Sequence, residues 1–303
     1  MNTEILKYNS GQIVAQLERS QKPLVSGVRF TVKEGESLAL IGETGSGKTI
    51  IAQSIMKLLP CNVKMRDGTA TFLGRELSAA RQMKKLLGVD IVYIPQNGAE
   101  FLNPSRRIRQ QLYDSLKKLG VPHSALCQTA LEKLAGVGLP QPETLLDKYP
   151  FQLSGGMAQR VTIAISACST AKLLIADEPT NGLDHAGKLD FLNLLSSMFP
   201  GAAKLVITHD IAVAELCDRT LVLCRGRMME TGPSKVILHE PHQPYTKALL
   251  ASLVKNGMHE TPVLRREFGF CPYYRRCPEA AEACKSEQLH HCENGTEWWC
   301  NAT

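Results

Sequence analysis

Eight consecutive residues, Gly42-Glu43-Thr44-Gly45-Ser46-Gly47-Lys48-Thr49, fit the spacing G-x-x-x-x-G-K-[ST]. Glycines let the backbone curl until successive N–H groups converge on phosphate oxygens, and the start of a following helix adds its positive end. In such a loop Lys48 reaches the β and γ phosphates of a nucleoside triphosphate, and the Thr49 hydroxyl holds Mg²⁺. A second group, Leu173-Leu174-Ile175-Ala176-Asp177-Glu178, is an apolar run closed by two carboxylates. Neighbours at a strand end point to different sides, so Asp177 can serve a magnesium shell while Glu178 faces the γ-phosphate and polarises an attacking water. A third, Leu153-Ser154-Gly155-Gly156-Met157-Ala158-Gln159-Arg160, sets a hydroxyl and two glycines at a helix start, a second place for an anion. Each string alone could be a glycine turn, an acidic turn before Pro179 or a capped helix. The three together in one chain point to nucleotide hydrolysis.

The elements around these strings suit that chemistry. Ser37 to Ile41 reads as an apolar strand running into the glycine loop, and TIIAQSIMKLLP has the 3.6-residue period of a helix stopped by Pro60. Gly88 to Pro95 predicts a strand, and residues 97 to about 166 are helix-rich. Leu173 to Ala176, Leu205 to Thr208 and Thr220 to Cys224 predict three further strands with helices between them. Strands alternating with helices imply an α/β fold with a mainly parallel, covered sheet. The helical insertion before Leu173 forms a second lobe.

With 303 residues and 44% hydrophobic composition the chain can bury a proper core. The net charge of +6, from 35 basic and 29 acidic residues, is a mild excess that does not identify nucleic acid as a partner. MNTEILKYNS has no apolar core of signal-peptide length, and no stretch approaches the roughly 18 to 20 apolar residues that cross a bilayer. The expectation is a cytosolic chain that reaches membranes through partners.

The Leu153–Arg160 string resembles the LSGGQ-type signature of ABC transporter ATP-binding subunits. That resemblance implies a P-loop NTPase (RecA-like) core with an antiparallel β subdomain and a helical signature subdomain over about 97–166. It also implies that Gln96 is the glutamine that meets Mg²⁺ and water, that Asn181-Gly182-Leu183-Asp184 is the D-loop, and that His209 contacts the γ-phosphate. Catalysis would then rest on Glu178, His209 and Gln96, and magnesium on Thr49, Gln96 and Asp177. ATP would be held by Gly42 through Thr49, with Ser154, Gly155, Gly156 and Asp184 acting on the nucleotide of a facing subunit. Family members stack adenine on an aromatic residue upstream of the loop. The matching stretch, Ile13 to Arg19, has none: Leu17 aligns there, and Tyr8 is the nearest earlier aromatic.

Three stretches, KPLVSGVRFTVKEGESLALIGETGSGKT, IPQNGAEFLNP and KYPFQLSGGMAQR, are similar to the peptide/nickel importer branch of that family. So is HQPYTKALL, which would open a small cysteine-rich C-terminal extension over 233–303 after an ATPase domain over 1–232. Of ten cysteines, Cys271, Cys277, Cys284, Cys292 and Cys300 crowd this tail. The resemblance implies a four-iron, four-sulfur (4Fe-4S) cluster on Cys271, Cys277, Cys284 and Cys300, with Cys292 additional. Thiolate spacing by itself leaves zinc, free thiols and, less favourably in a reducing cytosol, disulfides open. The tail itself reads as strand-poor. The implied partners are a second ATP-binding subunit, a paralogue or another copy, in a head-to-tail dimer, two transmembrane permease subunits and an extracytoplasmic substrate-binding protein. Location at the cytoplasmic face of a bacterial or archaeal membrane follows, and nucleic acid does not figure among the partners. The competing class is a soluble ABC ATPase of DNA repair or ribosomes, which usually has two cassettes or a long coiled coil. This chain has one cassette and no sustained heptads.

Overall fold

The computed structural model of the chain describes residues 3–18, 20–180, 183–252 and 270–301. Two compact units make it up. One comprises Met1–Ile5, Lys33–Glu36 and Ala79–Val206, the other Leu6–Val32, Ser37–Ser78 and Ile207–Thr303. The glycine loop and the cysteine-rich tail therefore belong to the same unit.

The first unit is built on strands wrapped by helices. Leu173–Asp177 pairs in parallel with Ile91–Ile94, Leu173 opposite Ile91 and Ala176 opposite Ile94, and Ala203–Ile207 flanks it on the other side. All five residues of Leu173–Asp177 are buried, the pattern of a strand covered on both faces. The strand expected over Gly88 to Pro95 is shorter, Ile91–Ile94, because the Asp90 N–H donates back to the Leu86 carbonyl and closes a turn ahead of it. Ile108–Lys118 buries Ile108, Leu112 and Leu116, and Leu126–Gly136 buries Leu126, Ala130 and Leu134. Four-residue spacing gives each helix one apolar stripe. The stripes share a core with Val161 and Ala164 of the Gly155–Ser166 helix and with Leu174 and Ala176 of the central strand. One core thus holds the acidic strand end and the signature helix, and truncating Leu112 or Leu134 to Ala costs about 2–5 kcal/mol.

The second unit is richer in strands. One sheet runs in the order His290–Glu293, Thr296–Trp299, Arg227–Pro233, Arg219–Cys224, Ser37–Ile41. Ser37–Ile41 lies parallel to Arg219–Cys224, Ile41 opposite Val222, and the other pairs are antiparallel. A three-stranded antiparallel sheet orders Gln21–Ser26, Gln12–Gln16 and Val63–Arg66. Leu6 pairs antiparallel opposite Phe72 and Asn9 opposite Thr69 on the Thr69–Phe72 strand, which pairs in turn with Arg75–Glu76.

The tail departs from the strand-poor expectation. Asn294 and Gly295 adopt φ 48 and 77, the pair of positive values that closes a two-residue hairpin, and His290–Glu293 folds back on Thr296–Trp299. The second of these strands then pairs with Arg227–Pro233, Glu230 opposite Trp298. On the same strand the buried Glu230 carboxylate accepts the N–H groups of His242 and Gln243 at 2.8 and 3.4 Å. These bonds fix the entry to the Pro244–Ala251 helix. Both parts of the extension are therefore anchored on one strand of the sheet that carries Ser37–Ile41. No helix of the described residues is long and apolar enough to cross a membrane.

Candidate functional site

In the second unit, the buried strand Ser37–Ile41 delivers the chain to Gly42. That residue has φ 149, and a Cβ on it would stand 2.2 Å from the Leu223 carbonyl oxygen, so only glycine makes this turn. The helix Lys48–Ile55 starts after Gly47 with no side-chain cap, which leaves its first N–H groups for a ligand. Buried Lys48 donates through Nζ to the carbonyls of Gly42 and Glu43 at 2.8 and 3.1 Å. Ser46 is 3% exposed, and its Oγ has no hydrogen-bond partner among the described residues. A cradle with no room for a Cβ, an inward lysine and an orphaned buried hydroxyl fit the phosphates of a nucleotide. Thr49 is exposed on the first turn.

Three other segments brace this loop. The Gly226 N–H donates to the Ser46 carbonyl at 2.9 Å, the Glu43 N–H donates to the Tyr245 hydroxyl at 3.3 Å, and the Arg276 guanidinium pairs with the Glu43 carboxylate at 2.7 Å. His209 is exposed and directly follows Thr208, whose N–H donates to the Leu40 carbonyl at 3.1 Å. It is thereby placed beside the strand that feeds the loop. Next to it, Asp210 caps Ile211–Glu215 by accepting from the Ala212 N–H at 3.0 Å.

The first unit gathers the remaining groups. Asp177 is buried, and the Tyr93 hydroxyl donates to its Oδ2 at 3.4 Å. Burial first, and the Asp177 charge second, push Tyr93 up to about 12, so it stays a donor at neutral pH. Glu178 adopts φ 47, a left-handed conformation that costs a side-chain-bearing residue about 1–3 kcal/mol. The chain thus leaves the strand between the two carboxylates. Gln96 is exposed just beyond Ile91–Ile94. Two residues on, Gly98 presses against the Gly155–Ser166 helix: a Cβ there would lie 2.8 Å from the Gln159 Cα, and Thr162 Oγ1 donates to the Gly98 carbonyl at 2.8 Å.

Gln159 also donates its side-chain amide to the Pro179 carbonyl. One helix therefore touches both the segment after Gln96 and the segment after Glu178, a role for Gln159 that the sequence marked only by its place in the Leu153–Arg160 string. At that helix's start, Ser154 Oγ accepts from the Met157 N–H at 3.3 Å. Ser154, Gly155 and Gly156 are exposed, and a Cβ on either glycine would meet nothing within 4 Å. Asp184 caps His185–Met198 by accepting from the Gly187 N–H at 2.8 Å. Asn181 and Gly182, expected in the same loop, lie outside the described residues.

Tyr8 does not offer a face to a base. It is 1% exposed, its ring packs 5.1 Å from Phe30 and its hydroxyl meets Ser54 Oγ at 2.7 Å, so it is a core residue. Leu17, at the tip of the Gln12–Gln16/Gln21–Ser26 hairpin, is 53% exposed.

In the tail, Cys271, Cys277, Cys284 and Cys300 are buried and Cys292 is exposed. Burial pushes the Cys271 and Cys277 thiols up to about 12 and 11, and each also responds to Cys284 and Cys300. The Cys271 N–H donates to the Cys284 carbonyl at 3.1 Å, and soft thiol donors suit an iron–sulfur cluster or zinc. Among the described residues, however, no group of three or more His, Cys, Asp or Glu side chains is arranged to hold a metal ion. Tyr273, Tyr274 and Trp298 are buried as ordinary core, with Trp298 stacked on His242 and His291 at 4.2 and 5.2 Å.

The family model described as ABC transporter matches residues 25–181, and that of the oligopeptide/dipeptide transporter C-terminal region matches residues 229–284. The dipeptide transport ATP-binding protein DppD of Bacillus subtilis is 37% identical over 278 residues, covering 86% of this chain and 82% of its own length. The metal-staphylopine import system ATP-binding protein CntD of Staphylococcus aureus is 35% identical over 252 residues, covering 81% and 93%. Among solved structures, a dimeric bacterial ABC transporter cassette superposes with a TM-score of 0.66 at 23% identity, over 76% of this chain and 99% of the cassette.

Proposed function

This chain belongs to the ABC transporter ATPases, and on that premise we propose that it is the ATP-hydrolysing subunit powering an importer of peptides or of a nickel or other metal chelate. The observation that carries the reading is the C-terminal region of oligopeptide/dipeptide transporter type, residues 229–284, on the same chain as the glycine loop, strand-end carboxylates and signature. We divide the chain into an ATPase domain, 1–232, and an extension, 233–303. Its partners are a second ATP-binding subunit, a pair of membrane permeases and an extracytoplasmic binding protein, and it works on the cytoplasmic face of the membrane.

ATP with Mg²⁺ supplies the transferable phosphoryl group and its charge compensation when bound. Lys48, Ser46 and the loop N–H groups bind the phosphates, and Thr49, Asp177 and Gln96 serve the metal. Glu178 orients the attacking water and accepts its proton, while His209 donates to the γ-phosphate oxygens. Ser154, Gly155, Gly156 and Asp184 act on the nucleotide held by the facing subunit. The solvent-open helix start at Ser154 supports that division of labour. Cys271, Cys277, Cys284 and Cys300 would hold an iron–sulfur cluster, with zinc the other occupant their chemistry allows; their burial, against the exposure of Cys292, supports this set, and their side chains would have to close around the metal as it binds.

The test is co-purification and reconstitution with the permeases encoded beside this chain. ATP hydrolysis should rise when the partner binding protein arrives with a peptide or a metal chelate, and whichever cargo stimulates names the substrate. Recovery of ribosomes or DNA with no permease would overturn the reading. Protein purified without oxygen should show iron and sulfide, or zinc, in stoichiometric amount; neither metal being present would overturn the cysteine assignment.

A further inference from the structure

Glu43 is the acidic member of a loop whose other groups suit anions, and all three of its polar handles are occupied. Its carbonyl accepts from Lys48 Nζ at 3.1 Å, its N–H donates to Tyr245 Oη at 3.3 Å, and its carboxylate pairs with Arg276 at 2.7 Å. Two of these partners come from the C-terminal extension. Tyr245 is 1% exposed on the Pro244–Ala251 helix, and its ring meets the edge of buried Tyr273 at 5.3 Å. Arg276 lies over that same Tyr273 ring at 5.4 Å and directly precedes Cys277. Tyr273 therefore joins the two contacts into one unit that grips the loop at Glu43.

The electrostatic consequence has a sign. A carboxylate on a phosphate loop repels the polyanion the loop must receive, and a guanidinium in contact with it cancels most of that repulsion. We propose that Arg276 is a positioning residue for the phosphate loop, neutralising and holding Glu43 so that the C-terminal extension sets the affinity of the loop for nucleoside triphosphate. The proposal rests on the reading of Gly42–Thr49 as the nucleotide loop and is independent of what the cysteines bind. The side chains of Arg276 and Glu43 are 22% and 45% exposed, so solvent screens the pair and the effect is modest.

The experiment measures binding of a fluorescent ATP analogue to the full-length protein, and KM and kcat in the assembled transporter. Arg276→Ala should weaken nucleotide binding about two- to fivefold, the range of a partly exposed ion pair, and raise KM by the same factor with kcat held. The loss should shrink in 0.5 M salt. Arg276→Lys should restore part of it, and Glu43→Gln in the Arg276→Ala background should restore most of it, which a purely structural role for Arg276 would not produce. An unchanged dissociation constant in a folded Arg276→Ala protein, or a double variant weaker than Arg276→Ala, overturns the proposal. Should Arg276→Ala unfold, Tyr245→Phe keeps the ring packing and removes the second grip; unchanged affinity there overturns the proposal equally. Lys48→Ala tests the underlying reading separately, since it should abolish binding whatever Arg276 does.

Discussion

Two glycine-rich helix starts in this chain suit anions, and they are finished to different degrees. At Lys48–Ile55 the loop is held from elsewhere in its unit: Ser46 and Lys48 are buried, Gly226 grips the Ser46 carbonyl, and Tyr245 and Arg276 grip Glu43. At Gly155–Ser166 the start is capped by Ser154 but exposed, with Ser154, Gly155 and Gly156 all on the surface and open space where either glycine's Cβ would be. The first has the turn, the buried lysine and the unpaired buried hydroxyl that a receptor for phosphates needs. The second is open at its two glycines, the arrangement expected of a half-site whose remainder comes from another molecule.

The sharpest tests separate these two ends by their effects on binding and on turnover. The largest effect is expected at the proposed hydrolytic carboxylate: Glu178→Gln should lower kcat about 10²–10⁴-fold while nucleotide still binds, measured as phosphate release in the reconstituted transporter. Equal release from Glu178→Gln and wild type would remove Glu178 from its role. The next, about 10²-fold in kcat, is expected of Gly155→Asp, which sets a carboxylate where an anion should dock. Because the site is open, this variant should fold with stability within about 0.5 kcal/mol of wild type and bind nucleotide as an isolated chain with unchanged affinity. A loss of nucleotide affinity in the isolated chain would mean that the exposed helix start serves its own subunit, and the contrast between the two ends would collapse.

The same contrast explains what could be read from the residue order. Phosphate chemistry needs consecutive N–H groups, so the glycine loop, the acidic strand end and the signature are contiguous strings. The strand into the loop, Ser37–Ile41, is legible at its observed bounds because the polar turn Glu34-Gly35-Glu36 gives way to an unbroken apolar run, Leu38–Ile41, that ends at Gly42. Contacts that brace those strings join distant positions, and no local pattern encodes them: Arg276 and Glu43 are 233 positions apart. The tail hairpin is a different kind of miss. Asn294-Gly295 is a strong two-residue turn signal, overshadowed by the cysteines around it. Tyr8 illustrates the limit of arguing from proximity in sequence, since a lone aromatic near the expected position is taken up by Phe30 and Ser54.

Gln159 should give the next effect down. Removing its amide leaves the Pro179 carbonyl without that donor and loosens the link between the signature helix and the segment after Glu178. A buried acceptor left unpaired costs about 1–3 kcal/mol, and about 1.4 kcal/mol of that felt at the transition state is tenfold in rate. Gln159→Ala should therefore lower kcat about tenfold with KM unchanged. A change in KM alone would place Gln159 in binding and deny that the helix serves the acidic strand end.

The smallest effect tests how the extension is anchored on the Arg227–Pro233 strand. Burial raises the Glu230 carboxyl above its ordinary value despite the bonds it accepts from the His242 and Gln243 N–H groups. The folded protein therefore binds this proton at a pH where the unfolded chain has already lost it. The contribution of Glu230 to stability is fully present below the unfolded value and is lost as pH rises through the higher folded value. Glu230→Gln removes that titration while keeping one acceptor for the His242 N–H. Unfolding free energies of both proteins in denaturant, compared from pH 4 to pH 7, should show the wild type losing stability relative to the variant as pH rises. A difference constant across that range would mean that Glu230 stays ionised throughout, and that the extension is held by a charge rather than by a buried carboxyl.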